Sequence, residues 1–375
     1  MKNNLQVLPL LLMLAACKKD DTPATPVTPT PTVEPSYYRG ADLSFSSELT
    51  AANVAFTDNG QRSTPLATLK RHGGNLVRLR LWHMPADGHS GLAEVAAFAH
   101  QAKQAGLSVL LDIHYADSWT DPGQQPTPRA WQNLSYSVLQ DSVYGYTRRV
   151  LRVMKAQQAQ PSLVQIGNEV NGGMLWPQGR VSSAADYATK LAPLLQQGLT
   201  AVADENAGLA QPMRTIVHFA GAEYAANFFQ ALAQQGVQPD VLGLSYYPQL
   251  HGKNLDQWQQ WLTTLVQQTN HDVLLCETAY PFTLGYADYT HNLLGLSSQL
   301  IPDYPATPAG QQAYLGEISR RLKALPGGHG RGFCYWAPEW VAWRGPTATN
   351  GSGWENQALY DFNLAAQPAW AAFAE

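Results

Sequence analysis

The stretches Leu163-Val-Gln-Ile-Gly-Asn-Glu169 and Val273-Leu-Leu-Cys-Glu277 decide the fold that this sequence predicts. Each is a short apolar run that ends on a carboxylate. Loop residues rich in glycine, proline and aromatic side chains follow each run at once, which marks the end of a strand. Near-continuous apolar strands of this kind are typical of a parallel sheet that is covered on both faces.

Six further apolar runs accompany these two, and a helical stretch follows each of the eight. The predicted strands are residues 39–45, 76–82, 108–115, 163–169, 215–219, 241–247, 272–278 and 332–337. The predicted helices lie near 64–72, 91–105, 135–157, 183–204, 222–235, 255–268, 308–325 and 365–374. Eight such units indicate an α/β fold, a single-domain (β/α)8 TIM barrel. A doubly wound open sheet is the alternative, but no G-x-G-x-x-G follows the first strand.

Glu169 and Glu277 would end the fourth and seventh strands, on the face where active sites lie in this fold. Cleavage of a glycosidic bond needs two carboxyl groups: an acid for the leaving oxygen, and a nucleophile or base for the anomeric carbon. Either glutamate alone could equally be a salt-bridge partner or a helix cap. Two of them, with aromatic residues at the surrounding strand ends, favour the catalytic interpretation.

Composition excludes some classes of function. The 375 residues carry a net charge of −4, and basic residues never occur in runs longer than a pair such as Lys18-Lys19, so nucleic acid is not an expected partner. Only 14% of the residues are charged, while 11 Trp and 17 Tyr are present. Many of these rings fall at predicted strand ends, as expected of a cleft with flat stacking faces.

Residues 1–17 are predicted to be a lipoprotein signal peptide, with Lys2 before an apolar run that is too short to span a bilayer. Leu14-Ala-Ala-Cys17 resembles the bacterial lipobox, in which the cysteine is lipidated; a plain signal peptide with an incidental cysteine is the alternative. Lys18-Lys-Asp-Asp21 resembles the export signal of surface lipoproteins. We expect an exported chain, lipid-anchored to the bacterial outer membrane and facing either the cell surface or the periplasm.

Residues 18–36 form a predicted Pro/Thr-rich linker, which cannot bury a core, and residues 37–375 form the predicted catalytic domain. Beyond Cys17 the chain has two cysteines, Cys276 and Cys334, which we expect to be free, buried thiols. Alternation along a strand predicts that Cys276 faces the helices if Glu277 faces the barrel interior.

Several ordered motifs carry a family resemblance across residues 38–363. They include Gly40-Ala-Asp-Leu-Ser44, Gly74-Asn-Leu-Val-Arg-Leu-Arg-Leu-Trp82, Leu111-Asp-Ile-His-Tyr-Ala-Asp117, Val164-Gln-Ile-Gly-Asn-Glu169, Leu242-Gly-Leu-Ser-Tyr-Tyr-Pro248, Glu277-Thr-Ala-Tyr-Pro281 and Trp354-Glu-Asn-Gln-Ala-Leu-Tyr-Asp-Phe362. The chain resembles the 4/7 superfamily of retaining glycosidases and, within it, glycoside hydrolase family 53, the arabinogalactan endo-β-1,4-galactanases. The resemblance implies endo-hydrolysis of β-1,4-galactan side chains of pectin, with Glu169 as acid/base and Glu277 as nucleophile.

The resemblance also implies substrate-binding roles. Asn168 would bond the sugar 2-hydroxyl, Trp336 would form the floor beneath the cleaved sugar, and either Tyr246 or Tyr247 would orient the nucleophile. Arg80 would hold the nucleophile ionised; a salt bridge inside the barrel is the alternative for this residue. The remaining predicted cleft residues are Trp82, His83 and His114.

Metal binding is a separate question. His83, His114 and His218, with Asp112 nearby, could bind zinc, but neither His-x-His nor HExxH spacing appears, which favours hydrogen-bonded pocket histidines. No cofactor is expected to be required. The resemblance implies a structural calcium ion in the loop after the seventh strand, where Asp288, His291 and Asn292 could supply ligands.

Three other functions compete with a galactanase. One is another retaining endo-glycanase of the same superfamily, a mannanase or cellulase. The others are a non-catalytic glycan-binding lipoprotein and a metal-dependent hydrolase. The expected partners are the polysaccharide and, through the lipid anchor alone, a membrane; the protein is expected to be a monomer.

Overall fold

Eight parallel strands pair in chain order and close into a barrel in the computed structural model, which describes residues 35–374. The strands are β1 (Tyr38–Asp42), β2 (Leu76–Leu81), β3 (Ser108–Ile113), β4 (Leu163–Ile166), β5 (Arg214–Ala220), β6 (Val241–Tyr246), β7 (Asp272–Thr278) and β8 (Gly330–Trp336). The barrel closes where Gly40 of β1 pairs with Cys334 of β8. The predicted (β/α)8 fold is confirmed. The predicted signal peptide, Cys17 and residues 18–34 of the linker lie outside the described residues.

Helices cover the outside of the barrel. They are α1 (Pro65–Arg71), α2 (Leu92–Gln104), α3 (Tyr136–Ala156), α4 (Ala192–Asn206), α5 (Ala225–Ala233), α6 (Leu255–Thr269), α7 (Pro308–Lys323) and a final 3-10 helix, Pro368–Phe373. Side chains define where some of them begin. Asn254 accepts backbone N–H groups of Asp256 and Gln257 at the start of α6, and Thr307 accepts that of Gly310 at the start of α7. No helix within residues 35–374 is long and apolar enough to cross a membrane.

Some element boundaries differ from the sequence prediction. The predicted helix at 183–204 is divided into Ala184–Asp186, a π-helical turn Tyr187–Leu191, and α4. A short helix, Ser46–Ala51, and a hairpin of Thr57–Asp58 with Gln61–Arg62 also lie between β1 and α1. Strand β4 ends at Ile166, three residues before the predicted end, because Gly167 (φ 76°) and Glu169 (φ 47°) leave the extended conformation.

The barrel interior is apolar at its lower end and polar at its upper end. The lower layer is formed by Tyr38, Leu76, Leu110, Leu163, Ile216, Val241, Leu274, Cys276 and Cys334. Above it, the interior side chains of the same strands are charged or polar, among them Arg78, Asp112 and Gln165, which are all at most 1% exposed. The C-terminal ends of the strands therefore hold a buried polar layer supported by a packed apolar one.

A β-bulge in β7 sets the direction of two neighbouring side chains. Leu244 pairs with Leu275, but Ser245 pairs with Glu277, so Cys276 is an extra residue on β7. An extra residue shifts the inside–outside alternation of a strand. Cys276 consequently joins the interior apolar layer directly below Glu277, and the prediction that it faces the helices is wrong. Cys276 and Cys334 are both free and buried, as predicted.

Candidate active site

A cavity of about 440 Å³ opens at the C-terminal ends of the strands. Glu169 and Glu277 both line it, and four tryptophans form much of its wall: Trp119, Trp336, Trp340 and Trp354. The two glutamates are only 8% and 6% exposed. The strand-end carboxylates identified in the sequence therefore meet in one cleft.

Glu277 is held by a cation and a phenol. Its Oε1 lies 2.8 Å from Nη2 of Arg78, and its Oε2 accepts a 2.9 Å hydrogen bond from the hydroxyl of Tyr247. Burial raises the pKa of Glu277 to about 7, while the charge of Arg78 and the bond from Tyr247 act in the opposite direction. The carboxylate thus has two partners that favour its ionised form.

Arg78, and not the predicted Arg80, is the arginine that pairs with the nucleophile candidate. Nη1 of Arg78 lies 2.6 Å from Asp42, and Nη2 lies 2.8 Å from Asp112. Both arginines point into the barrel because residues two apart share a face. The deeper Arg78 reaches the carboxylates, whereas the guanidinium of Arg80 lies 4.1 Å from the ring of Trp119. The expected role of Arg80 is therefore corrected: it supports the aromatic wall.

Glu169 occupies a left-handed backbone conformation, which is uncommon for a residue with a side chain. Its Oε1 lies 2.5 Å from the hydroxyl of Ser245. Burial and the nearby charge of Glu277 raise the pKa of Glu169 to about 8, and within the described residues no cation is paired with Glu169 as Arg78 is with Glu277. Two carboxyl groups whose surroundings separate their pKa values are suited to acid and nucleophile roles.

Asn168 is fixed on both sides of its amide. Its Oδ1 accepts a 2.9 Å hydrogen bond from Nη2 of Arg78 and lies 2.9 Å from Nδ1 of His218. Its Nδ2 donates to the carbonyl of Thr120 at 2.9 Å. The side chain borders the cavity, and its orientation is determined before any ligand enters.

The structure shows which of the two tyrosines, Tyr246 or Tyr247, contacts the nucleophile candidate. Tyr247 faces the cavity and contacts Glu277. Tyr246 points the other way: its ring stacks on Trp258 at 4.5 Å and its hydroxyl donates to the carbonyl of Gly252. Tyr246 is therefore a packing residue of the barrel exterior, and its proposed contact with substrate is wrong.

Of the other predicted cleft residues, some line the cavity and others pack behind its wall. Trp336 lines the cavity and lies 4.6 Å from Trp354, centroid to centroid. His114 also lines it, with Nε2 2.8 Å from Asp112. Trp82 packs edge-on behind Trp119 at 5.2 Å.

His83 does not reach the cleft. Its ring lies 4.7 Å from the rings of both Trp131 and Tyr146. The expectation that His83 binds substrate directly is therefore not supported by its position, and the same holds for Trp82, which supports the wall from behind.

Sequence and structure comparisons identify the family. A profile of Glycosyl hydrolase family 53 matches residues 38–373. The chain belongs to glycosyl hydrolase family 53. An arabinogalactan endo-β-1,4-galactanase of Cellvibrio japonicus is 36% identical over 329 residues, which cover 87% of this chain and 86% of that protein.

Solved structures agree with this assignment. The GH53 catalytic domain of Ignisphaera aggregans has a TM-score of 0.83 and 35% identity, covering 92% of this chain and 98% of that one. A solved fungal β-1,4-galactanase has a TM-score of 0.76 and 26% identity, covering 90% and 98%. The family 53 chain is therefore a glycoside hydrolase.

The family 53 hydrolase has no group of three or more His, Cys, Asp or Glu residues arranged for a metal within residues 35–374. His114 and His218 are instead hydrogen-bonded within the polar layer, to Asp112 and to Ser245 respectively. The zinc interpretation is therefore not supported by the described residues.

Three buried side-chain oxygen atoms lie in the loops after β7 and β8, close to the predicted calcium ligands. Oδ2 of Asp288, Oδ1 of Asn292 and Oε2 of Glu355 are buried and have no hydrogen-bond partner in the described structure. Burial and the nearby charge of Asp288 raise the pKa of Glu355, and Asn292 acts on it in the opposite direction, so the three side chains lie close together. A hard cation prefers such oxygen ligands. His291 is exposed and does not share their buried position; Glu355 takes its place in the candidate set.

Sequence reasoning missed two residues of this hydrolase's polar layer as partners of the glutamates: Arg78 and Ser245. Arg78 is the first of the two arginines in Val77-Arg-Leu-Arg-Leu81, and Ser245 is a polar residue in an apolar strand. A charged or hydroxyl side chain within a buried strand needs a partner. This requirement indicates from the sequence that Arg78 and Ser245 have buried partners, but it does not identify those partners.

Proposed function

We propose that this hydrolase cleaves internal β-1,4-galactosidic bonds of galactan with retention of anomeric configuration. The observation that carries the proposal is the pair of buried glutamates with opposite surroundings in one cleft. Glu277 is paired with Arg78 and Tyr247, whereas Glu169 is bonded to a neutral hydroxyl. The names of the family 53 relatives supply the galactan specificity.

In the first step, an ionised oxygen of Glu277 attacks the anomeric carbon while the bond from that carbon to the leaving oxygen breaks. Glu169 transfers its proton to the leaving oxygen, so that the leaving chain departs as an alcohol. Arg78 and Tyr247 hold the attacking carboxylate in place. The products are a glycosyl ester of Glu277 and an ionised Glu169.

In the second step, Glu169 removes a proton from water, and the water oxygen attacks the anomeric carbon. The ester bond to Glu277 breaks, which regenerates both carboxyl groups in their starting states. We propose that the second N–H of the Asn168 amide donates to the sugar 2-hydroxyl, since the first is directed at Thr120. Trp336 would support the sugar ring from below.

Product analysis on potato or lupin galactan tests the substrate assignment. Galacto-oligosaccharides of several lengths should appear early, as expected of internal cleavage. Mannan, carboxymethylcellulose and xylan serve as parallel substrates; preferred release from one of them would replace the galactan assignment. Binding of galactan without release of reducing ends would instead support a glycan-binding protein.

We also propose that the chain is exported and anchored to the outer membrane through lipidated Cys17. The apolar run before Leu14-Ala-Ala-Cys17 and the Pro/Thr-rich segment after it support this proposal. A polysaccharide substrate is consistent with this placement because it is too large to enter the cell intact.

We further propose that Asp288, Asn292 and Glu355 hold a structural calcium ion. An ion there would neutralise two buried carboxylates and bind three oxygen atoms that otherwise lack partners. Its role would be to fix the loop after β7, whose Leu293 lines the cleft. It takes no part in the chemical steps.

A further inference from the structure

A chain of short hydrogen bonds leads from Asn168 to Glu169 through two side chains that the mechanism does not use. Nδ1 of His218 lies 2.9 Å from Oδ1 of Asn168, and Nε2 of His218 lies 2.8 Å from Oγ of Ser245. Oγ of Ser245 lies 2.5 Å from Oε1 of Glu169. His218 and Ser245 are both fully buried, so each contact must be satisfied within the protein.

The amide of Asn168 determines the direction of the first bond. Its Nδ2 donates to the carbonyl of Thr120, and its Oδ1 accepts from Arg78. The atom that faces His218 is therefore an oxygen, which can only accept. Nδ1 of His218 must carry a proton. The Gln165 amide also lies 3.2 Å from Nδ1, but it makes closer bonds to Asp112 at 2.6 Å and to the carbonyl of Gly167 at 3.0 Å.

A neutral His218 with its proton on Nδ1 determines the remaining bonds. Burial and the charge of Arg78 lower the pKa of His218 well below its ordinary value, so Nε2 has a lone pair and accepts. The hydroxyl proton of Ser245 must then point at Nε2. Its oxygen is left as an acceptor, and the only proton available to it at 2.5 Å is one on Oε1 of Glu169.

We propose that Ser245 and His218 form a positioning relay that stabilises the protonated form of Glu169 and so prepares it as the acid. This inference rests on the proposed role of Glu169. When Glu169 has given up its proton, the Ser245 hydroxyl can turn toward the carboxylate, but Nε2 of His218 then faces an oxygen lone pair. All bonds are satisfied again only when Glu169 regains a proton, which it takes from the attacking water in the second step.

The direction in which Ser245 shifts the pKa of Glu169 distinguishes this relay from an ordinary hydrogen bond donated by a serine. A hydroxyl that donates to a carboxylate lowers its pKa. A hydroxyl that accepts from the carboxylic acid raises it. Other ionisable groups also face Glu169 and His218, so variants are compared only where all of these groups are the same. They are Arg78 on β2, Asp112, His114 and Asp121 on and after β3, Tyr247 and His251 after β6, and Glu277 on β7.

The test is the pKa of Glu169 in Ser245→Ala, with Ser245→Thr as the control that keeps a hydroxyl. It is read from the alkaline limb of the kcat/KM profile on galactan. We expect Ser245→Ala to move this limb down by about half to one pH unit, the worth of one hydrogen bond, and Ser245→Thr to leave it near the wild-type position. A shift upward in Ser245→Ala would overturn the relay, because it is the result expected of a simple donor.

A second variant and a direct titration keep the test independent of folding and of turnover. His218→Phe removes the acceptor at Nε2 and frees the Ser245 hydroxyl to donate to Glu169, so the pKa should fall further than in Ser245→Ala. A pKa of Glu169 in His218→Phe at or above the wild-type value would also contradict the relay.

The pKa of Glu169 is measured by 13C NMR of glutamate-labelled protein in a Glu277→Gln background, with Glu169→Gln for assignment. If the wild-type protein does not act on galactan but the variants still show these shifts in the pKa of Glu169, the proposed function is refuted and the relay stands.

Discussion

Arg78 and Glu277 form a buried ion pair, with Nη2 2.8 Å from Oε1. The same guanidinium also contacts Asp42, Asp112 and Asn168. Burial opposes its charge, but the three carboxylates outweigh that effect and raise the pKa of Arg78. One permanent cation therefore links the nucleophile to the residue that precedes the acid.

Replacing Arg78 by Gln should move the acid limb of the kcat/KM profile to higher pH. The charge of Arg78 lowers the pKa of Glu277; without it, the carboxyl group stays protonated to higher pH and the nucleophile is lost. We expect a shift of about one pH unit or more and a loss of activity at neutral pH. Arg80→Gln, on the same strand and the same face, is the matched control: it should change KM through the aromatic wall and leave the acid limb in place.

Glu277→Ala should abolish turnover, and azide should partly restore it. The space left by the carboxylate would admit a small anion, which attacks the anomeric carbon once from the same side. The product should be a glycosyl azide of inverted configuration, detectable by NMR, when an aryl galactoside with a good leaving group is supplied. Near-normal galactan hydrolysis by this variant would exclude Glu277 as the nucleophile.

Glu169→Ala should impair galactan far more than a dinitrophenyl galactoside. The sugar leaving group needs the proton, so its turnover should fall by about 10² to 10⁴. Dinitrophenolate leaves without help, and the glycosyl ester of Glu277 should then accumulate because its base is missing. Stopped-flow measurements should record a burst of phenolate. Equal losses on both substrates, without a burst, would make Glu169 a binding residue.

Calcium should stabilise the wild-type protein and have no such effect on Asp288→Ala. A ligand that binds only the folded state at about 100 times its Kd contributes roughly 2.7 kcal/mol, which corresponds to several degrees in the Tm of a domain of this size. Differential scanning fluorimetry with calcium against EGTA measures the difference. His291→Ala alters an exposed residue in the same loop and should still be stabilised by calcium. If calcium no longer stabilises this variant, His291 is a calcium ligand.

Cys17→Ala should release the protein from the membrane fraction when it is expressed in a Gram-negative host. Labelled palmitate should enter the wild-type chain and not the variant. Galactanase activity per folded molecule should be the same in both, because Cys17 lies far along the sequence from every residue of the cleft. Wild-type protein that takes up no palmitate would exclude the lipobox.

The order of apolar runs and carboxylates in the sequence was sufficient to predict the barrel and the position of Glu169 and Glu277. Strand periodicity is a local property, and parallel strands of one barrel present their C-terminal ends on one face. Both facts can be read without coordinates. The predicted element ends were less accurate, as at β4, because a backbone turn at Gly167 depends on the loop that follows it.

Contacts across the barrel were decided only by the tertiary structure. Arg78 and Arg80 share a face of β2, so periodicity could not choose between them; their depth in the barrel did. The bulge at Cys276 depends on how β7 pairs with β6 and β8, and it changes which side chains face inward. The pairing of Ser245 with Glu169 joins residues 76 positions apart. Such partners are chosen by packing and by the need to satisfy every buried polar atom, and these constraints exist only once the chain has folded.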